Sequence, residues 1–240
     1  MLWLIGAGVL IYALSGSNSI VQASTTKKNG DEMWWSTLPK KNLTFFGNPD
    51  NPKKVSIRAG HSIYNDGAKG GDMSENPYTF DIATRIAKAL SPYCYVMVTR
   101  RDYRKQYGAE TRTVNKFNPA CDIQVHLNHA KSKKASGVLS MYWKHSKKGG
   151  HKLAKLLTAA VRNAIGLKTT YSHDGTVGLP SEGFQKIQFM VKNPKPVSVI
   201  MELFFVSNPN DRAAADEEHE KNAIATETAS AILQFMKGQK

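Results

Sequence analysis

From residue 54 onward, the apolar residues of this chain follow two spacings in turn. Short apolar runs of strand type are separated by longer segments in which apolar residues recur every three or four positions. The predicted strands cover residues 55–57, 95–98, 122–127, 138–143, 187–191 and 197–203. The predicted helices cover residues 76–90, 110–117, 153–165 and 222–236.

This alternation of strands and helices predicts the fold class. Such chains form α/β domains, whose largely parallel sheet is covered by helices on both faces. The run containing Val197, Val199, Ile200 and Met201 is apolar at nearly every position, which is typical of a strand buried on both sides. We therefore expect a single α/β domain over residues 53–240, with a mostly parallel, twisted sheet of about six strands.

The first 23 residues have the pattern of an export signal. No side chain before Lys27 is charged, Leu2 to Leu14 is an apolar run, and Val21-Gln22-Ala23 places a small residue where cleavage would occur. The apolar run is shorter than the roughly 20 residues that span a membrane. A cleaved signal is the first interpretation, a retained membrane anchor the second and a buried N-terminal helix the third.

Residues 24–52 are predicted to be a basic linker, because they are polar and end in the turn-rich stretch Gly47–Pro52. Together with the signal, this arrangement predicts an exported protein that is extracellular, periplasmic or associated with the cell wall. Transient membrane contact would occur through the N-terminal segment.

The chain is strongly basic, with 33 Lys and Arg against 19 Asp and Glu and a formal net charge of +14. This excess favours a polyanionic partner, such as a nucleic acid, an acidic membrane surface or an anionic cell-wall polymer. The basic residues occur as scattered pairs such as Lys40-Lys41 and Lys147-Lys148, without a zinc finger or basic helix. This distribution argues against nucleic acid and leaves an acidic membrane surface, an anionic cell-wall polymer or a simply solvated basic surface as interpretations. We expect a monomer.

Cys94 and Cys121 do not belong to a metal-binding or redox motif. A disulfide would be compatible with export. We favour two buried free thiols, because unpaired cysteine is among the most frequently buried residue types.

Candidate chemistry follows the ends of three predicted strands. His61, His126 and Glu202 end the first, third and last of them, and parallel strands bring such residues to one edge of a sheet. Glu75 stands at the start of the first long helix. Two imidazoles and one carboxylate suit a zinc ion with an open position, and a second carboxylate could handle the proton.

Each of these residues alone also has a structural interpretation. His61 or His126 could be a hydrogen-bonded structural histidine. Glu75 could be a first-turn carboxylate that is stabilised by the helix dipole. Glu202 is harder to explain in this way. A carboxylate at the end of an apolar strand lowers the stability of the fold by several kcal/mol, unless a partner compensates it or it serves in the chemistry of a site.

An ordered set of motifs carries a family resemblance. They are Ala59-Gly60-His61, Asp66-Gly67-Ala68, Gly70-Gly71, Glu75, Thr99-Arg100, Arg112-Thr113-Val114-Asn115, Val125-His126-Leu127-Asn128, Gly137 and Met201–Pro209. In this order they resemble the zinc-dependent N-acetylmuramoyl-L-alanine amidases of bacterial autolysins and phage endolysins. The resemblance extends over residues 54–235, and the complete set, ending in Glu-x-x-Phe-x-Ser-Asn-Pro, is specific.

The resemblance implies a function and a set of roles. His61, Glu75 and His126 would hold Zn²⁺, and Glu202 would be the catalytic carboxylate. The substrate would be peptidoglycan, cut at the amide bond between N-acetylmuramic acid and L-alanine. Two further matching positions are expected to be structural, namely Asn208 and Arg112.

Three departures from the family pattern are expected to change the walls and loops of the site rather than its ligands. Arg58 replaces the usual Asp, Ser62-Ile63 replaces Gly-Gly, and Phe204 replaces Gly.

The five other histidines are not assigned to the metal site. His129 could compete as a ligand but is better explained as a rim residue, and His173 could line the cleft. We expect His145, His151 and His219 to be solvated. Alternative functions are a zinc peptidase on stem peptides, a wall-binding protein without catalysis and a nucleic-acid-binding protein.

Overall fold

The computed structural model describes residues 37–170 and 172–238. The signal or anchor predicted for residues 1–23 and the first part of the predicted linker lie outside these residues. Within them, the search for a helix with the length and apolarity needed to cross a membrane finds none.

Nine strands are formed in the described part of the chain. They are β1 (Leu43–Phe46), β2 (Lys54–Ala59), β3 (Lys69–Gly70), β4 (Met73–Ser74), β5 (Tyr95–Thr99), β6 (Cys121–Asn128), β7 (Leu139–Trp143), β8 (Thr176–Leu179) and β9 (Val197–Phe205). Seven of them form one sheet in the order β1-β5-β2-β6-β9-β7-β8, and β3 and β4 form a separate hairpin. The four central strands, β5, β2, β6 and β9, are mutually parallel, whereas β1 and β7 pair antiparallel to their inner neighbours.

Six α-helices accompany the sheet in the described residues. They are α1 (Glu75–Leu90), α2 (Tyr107–Phe117), α3 (Gly150–Ile165), α4 (Phe189–Lys192), α5 (Pro209–Ala213) and α6 (Glu218–Lys237). The helices α1, α3 and α6 cover one face of the sheet and enclose the main apolar core. The opposite face carries a smaller apolar cluster against α4. The predicted fold class, a single mixed α/β domain with a mostly parallel sheet, is confirmed.

The prediction of a strand at residues 187–191 is wrong. This segment forms a 3₁₀ turn ending at Ile187 and then the short helix α4. The carbonyl of Met190 accepts hydrogen bonds from Gln124 (2.7 Å) and from the hydroxyl of Tyr107 (3.1 Å). The segment is thus joined to α2 and β6 by side-chain hydrogen bonds and not by strand pairing, and periodicity alone does not distinguish a strand from a helix in so short an apolar run.

The strands β1 and β8 were not predicted. Leu43–Phe46 lies inside the predicted linker, yet it pairs antiparallel with β5 along its whole length. Residues 43–46 are therefore part of the main sheet. The two cysteines, Cys94 and Cys121, are both free and buried.

Arg58 lies in the interior, although it was expected to affect the walls of the site. It is 1% exposed, and its Nε donates to Oδ1 of Asp122 at 2.9 Å. The Asp122 carboxylate also accepts from the hydroxyls of Ser56 and Ser198, each at 2.7 Å. An arginine is tolerated on this face of the sheet because its charge is paired and its partner is fully hydrogen-bonded.

Phe204 is also a core residue rather than part of a wall. The register between β6 and β9 shifts by one residue between His126 and Asn128, which is a β-bulge in β9. Leu203 and Phe204 are consequently both fully buried in the main core. The ring of Phe204 packs edge-to-face on Tyr78, with 5.4 Å between ring centroids.

Candidate active site

The loop that carries His61 leaves the end of β2 through Gly60. The Gly60 N–H donates to the carbonyl of Val125 at 2.8 Å. A Cβ on Gly60 would lie 2.7 Å from that carbonyl and 2.9 Å from Nδ1 of His126, so only glycine permits this close approach. His61 itself has a φ of 56°, which turns its imidazole toward the start of α1.

Glu75 is the first residue of α1 and is 1% exposed. Its Oε1 accepts from the Leu127 N–H at 2.9 Å, and its Oε2 accepts from the Ala68 N–H at 2.8 Å. The same two oxygens lie 3.0 Å from Nδ1 of His126 and 3.1 Å from Nε2 of His61. Four nitrogens, two from the segment 61–68 and two from the adjacent residues His126 and Leu127, thus surround this carboxylate.

The environment keeps Glu75 ionised. Burial alone would raise the pKa of this carboxyl, but its interactions with His126 and His61 outweigh burial and hold the pKa well below its usual range. An ionised carboxylate between two imidazoles is the protonation state that a metal ligand requires.

Glu202 lies on β9 directly opposite His126 on β6. The residue is half-buried, but its Oε2 atom is inaccessible to solvent and has no hydrogen-bond partner among the described residues. Burial and, to a lesser degree, the negative charge of Glu75 raise the pKa of Glu202 well above its usual range. Glu202 is therefore a basic carboxylate that the fold leaves without a structural partner.

The donor atoms of His61, Glu75 and His126 all lie within 4.8 Å of one another. Two imidazole nitrogens and one carboxylate oxygen at this spacing fit a zinc ion with an open coordination position. The buried, unpartnered carboxylate of Glu202 faces the same cleft, so the residues fit a hydrolytic metal site.

Asn76, which was not identified from the sequence, stabilises the segments that carry this cluster. Its Nδ2 donates to the carbonyl of Gly60 at 2.7 Å, and its Oδ1 accepts from Nε of Arg100 at 2.9 Å. It therefore ties the loop of His61 to the first turn of α1. The position next to Glu75 was the only sequence signal that could have indicated this role.

A cleft of about 470 Å³ opens over the cluster. Its lining includes His61, Glu75, His126 and Glu202 together with Arg101. A second depression of about 710 Å³, called the basic groove here, adjoins the cleft and shares three lining residues with it. The shared residues are Arg104, Tyr107 and Phe189. Sequence patterns did not identify this cationic and aromatic wall, because its members come from separate elements.

The remaining predicted residues lie away from the cluster. His129 is exposed and is not part of the ligand group, and His173 is exposed and does not line the cleft. The three histidines expected to be solvated, His145, His151 and His219, are exposed.

The two positions expected to be structural differ in what they contact. Asn208 caps α5, where its side chain accepts from the Asn210 N–H at 2.9 Å. This is a structural role, as expected. Arg112 is exposed on the wall of the basic groove.

The chain is similar to known proteins in sequence and in fold. The germination-specific N-acetylmuramoyl-L-alanine amidase of Bacillus subtilis (strain 168) is 22% identical over 204 residues, which cover 78% of this chain and 81% of that protein. The N-acetylmuramoyl-L-alanine amidase structure from Clostridium difficile 630 matches with a TM-score of 0.69 at 18% identity, covering 79% of this chain and 100% of that one.

A third similar structure is the catalytic domain of CwlV, an N-acetylmuramoyl-L-alanine amidase from Bacillus (Paenibacillus) polymyxa var. colistinus. It has a TM-score of 0.66 at 20% identity and covers 78% of this chain and 99% of that chain. At these identities the structures show a shared fold. A family model described as N-acetylmuramoyl-L-alanine amidase matches residues 55–234. Because this match spans most of the sequence, the chain belongs to the N-acetylmuramoyl-L-alanine amidase family.

Proposed function

We propose that this protein is a zinc-dependent hydrolase of the amide bond between N-acetylmuramic acid and L-alanine in peptidoglycan. The observation that carries the proposal is the convergence of His61, Glu75 and His126 within 4.8 Å beside the unpartnered carboxylate of Glu202. Membership of the amidase family supports the substrate.

In this proposal His61, Glu75 and His126 hold the metal. These residues would hold a zinc ion, which would supply an acidified water molecule and polarisation of the scissile carbonyl. The backbone N–H groups of Ala68 and Leu127 orient the Glu75 carboxylate through hydrogen bonds of 2.8 and 2.9 Å. Supporting hydrogen bonds of this kind fix the direction and basicity of metal ligands.

Glu202 is the proposed general base and acid. Its carboxylate accepts a proton from the attacking water and then donates that proton to the nitrogen of the leaving L-alanine. Burial raises the pKa of Glu202 from the ordinary carboxyl range in the direction of the working pH, and a proton shuttle works best near that pH. The reaction releases the lactyl carboxylate of the sugar and a free L-alanine amino group.

The site of action follows from the substrate. Peptidoglycan lies outside the cytoplasmic membrane, and the net charge of +14 would attract the protein to anionic polymers of the wall. We propose that the protein acts there, at the wall.

The experiment that tests the proposal is product analysis of purified peptidoglycan by mass spectrometry. Digestion should release intact stem peptides with free L-alanine amino ends. Activity should disappear with a chelator and return with Zn²⁺ but not with Mg²⁺, since imidazole ligands suit zinc. Cleavage within the stem peptide instead would indicate a peptidase, and activity unaffected by exhaustive chelation would overturn the metal assignment.

A further inference from the structure

The walls around the cleft carry mostly positive charge. Its acidic lining residues in the described part of the chain are the metal-site carboxylates Glu75 and Glu202. Three cations, Arg101, Arg104 and Lys186, line the remainder of the cleft. Such a distribution favours a substrate that carries negative charge away from its scissile bond.

Arg101 is the unusual member of this wall, because it is an arginine that is only 5% exposed. Its backbone carbonyl accepts from the Ile63 N–H at 2.9 Å, which fixes it beside the His61 loop. Its guanidinium lies over the ring of Tyr107, 5.2 Å from the centroid. The head group is therefore held in place before any ligand binds.

The nearest anion leaves hydrogen-bonding capacity on Arg101 unused. Nε of Arg101 lies 3.1 Å from Oε2 of Glu110, but neither atom has a hydrogen-bond partner among the described residues. The other oxygen of Glu110 accepts from the hydroxyl of Thr99 at 2.6 Å. This ion pair occupies the buried Nε, so a ligand carboxylate in the cleft would bind the terminal nitrogens of the Arg101 guanidinium.

The positive charge continues from the cleft into the basic groove. Arg104 is exposed and lines both depressions, and Lys105 and Arg112 line the groove beyond it. No carboxylate is among the described residues that line the groove. An anionic peptide that leaves the metal site in this direction would meet cations along its path.

We propose that Arg101 and Arg104 form a carboxylate subsite that recognises the stem peptide just beyond the scissile bond. The proposal rests on the proposed function. In peptidoglycan the residue after L-alanine is D-glutamate linked through its γ-carboxyl group, so its α-carboxylate is free unless the wall amidates it. The planar fork of arginine matches a carboxylate with two parallel hydrogen bonds, whereas a neutral amide matches it poorly.

The test compares two soluble muramoyl peptides that differ only in the α-carboxyl group of the second residue, free in one and amidated in the other. The protein should cleave the free acid with a kcat/KM that is higher by about 10-fold or more, the range of a charge-assisted hydrogen bond. The variants Arg104→Gln and Arg101→Lys should bring this ratio close to one, mainly by raising KM for the free acid. Arg101→Lys keeps the positive charge beside Glu110 and removes only the planar guanidinium group, so the protein should still fold.

Arg162→Gln is the matched control, because this arginine is exposed on α3, away from the cleft. It removes the same charge and should leave the ratio unchanged. Equal cleavage of both peptides by the unmodified protein would overturn the subsite and leave the proposed function intact. If neither peptide is cleaved in the presence of Zn²⁺, both the subsite and the proposed function are overturned.

Discussion

Glu202 and His126 are directly paired across the parallel strands β9 and β6. Residues paired in this way project to the same face of a sheet, so the proposed proton carrier and a proposed metal ligand share one rigid platform. The bulge in β9 follows this pair, and Leu203 and Phe204 at the bulge are both buried in the main core. The pairing of β6 with β9 is therefore regular up to Glu202 and His126 and becomes irregular only beyond them.

Replacing Glu202 by Gln should abolish proton transfer while leaving the metal ligands in place. We expect a loss of about 10²–10⁴-fold in kcat, the usual contribution of a general acid–base residue. The measurement is the release of L-alanine amino ends from peptidoglycan, together with zinc content. Glu227→Gln, on the exposed side of α6, is the control. Full activity in the Glu202 variant would contradict its assigned role.

Replacing His126 by Ala should weaken zinc binding by more than the roughly 10–100-fold that is typical of losing an outer-shell partner of a metal ligand. His126 contributes one donor atom of the ligand group, so its loss leaves an incomplete set. Zinc per protein after dialysis is the measurement, and His219→Ala, at an exposed histidine, is the control. Retention of stoichiometric zinc in the His126 variant would show that the metal binds elsewhere.

Replacing Asp122 by Asn should destabilise the fold. The buried guanidinium of Arg58 would lose its charged partner, and breaking a buried ion pair costs about 3–5 kcal/mol. For a domain of this size we expect the midpoint of thermal unfolding to fall by about 10 °C. The control is Asp50→Asn at an exposed position, and calorimetry is the measurement. An unchanged midpoint would mean that Glu110, 3.9 Å from Arg58, is a sufficient counter-charge.

Replacing Phe204 by Ala should also destabilise the protein, by about 3–5 kcal/mol, because a large side chain leaves a cavity in the core. Phe204 does not line the cleft, so the fraction that remains folded should keep its kcat. Chemical denaturation gives the free energy of unfolding. Phe45→Ala, at a ring that is 41% exposed, should cost clearly less. A change in substrate preference without a loss of stability would assign Phe204 to the wall of the cleft instead.

Binding to the cell wall should depend on salt. The net charge of +14 predicts attraction to anionic wall polymers, and the Debye length shortens from about 10 Å at 0.1 M to about 3 Å at 1 M salt. The inactive Glu202→Gln variant can be sedimented with purified walls across this range, so that digestion does not interfere. Binding should fall with added salt and after extraction of the anionic polymers. Salt-independent binding would contradict an electrostatic attachment.

The sequence by itself determined the fold class and indicated the candidate residues of the site. The spacing of apolar residues records which face of each element is buried, and this pattern is local to the element. His61, His126 and Glu202 could therefore be assigned to one edge of a parallel sheet. Glu75 could be chosen over a capping role only through the family resemblance.

Tertiary structure decided the relationships between distant segments. Glu75 and His126 meet 3.0 Å apart although 51 positions separate them in the chain. Residues 187–191 form a turn and a helix in contact with Tyr107 and Gln124, and the pairing of β1 with β5 brought part of the predicted linker into the sheet. Arg58 is buried beside its charged partner Asp122 on β6, and Phe204 is buried at the bulge in β9. Each outcome depends on non-local contacts, and apolar periodicity describes one element at a time.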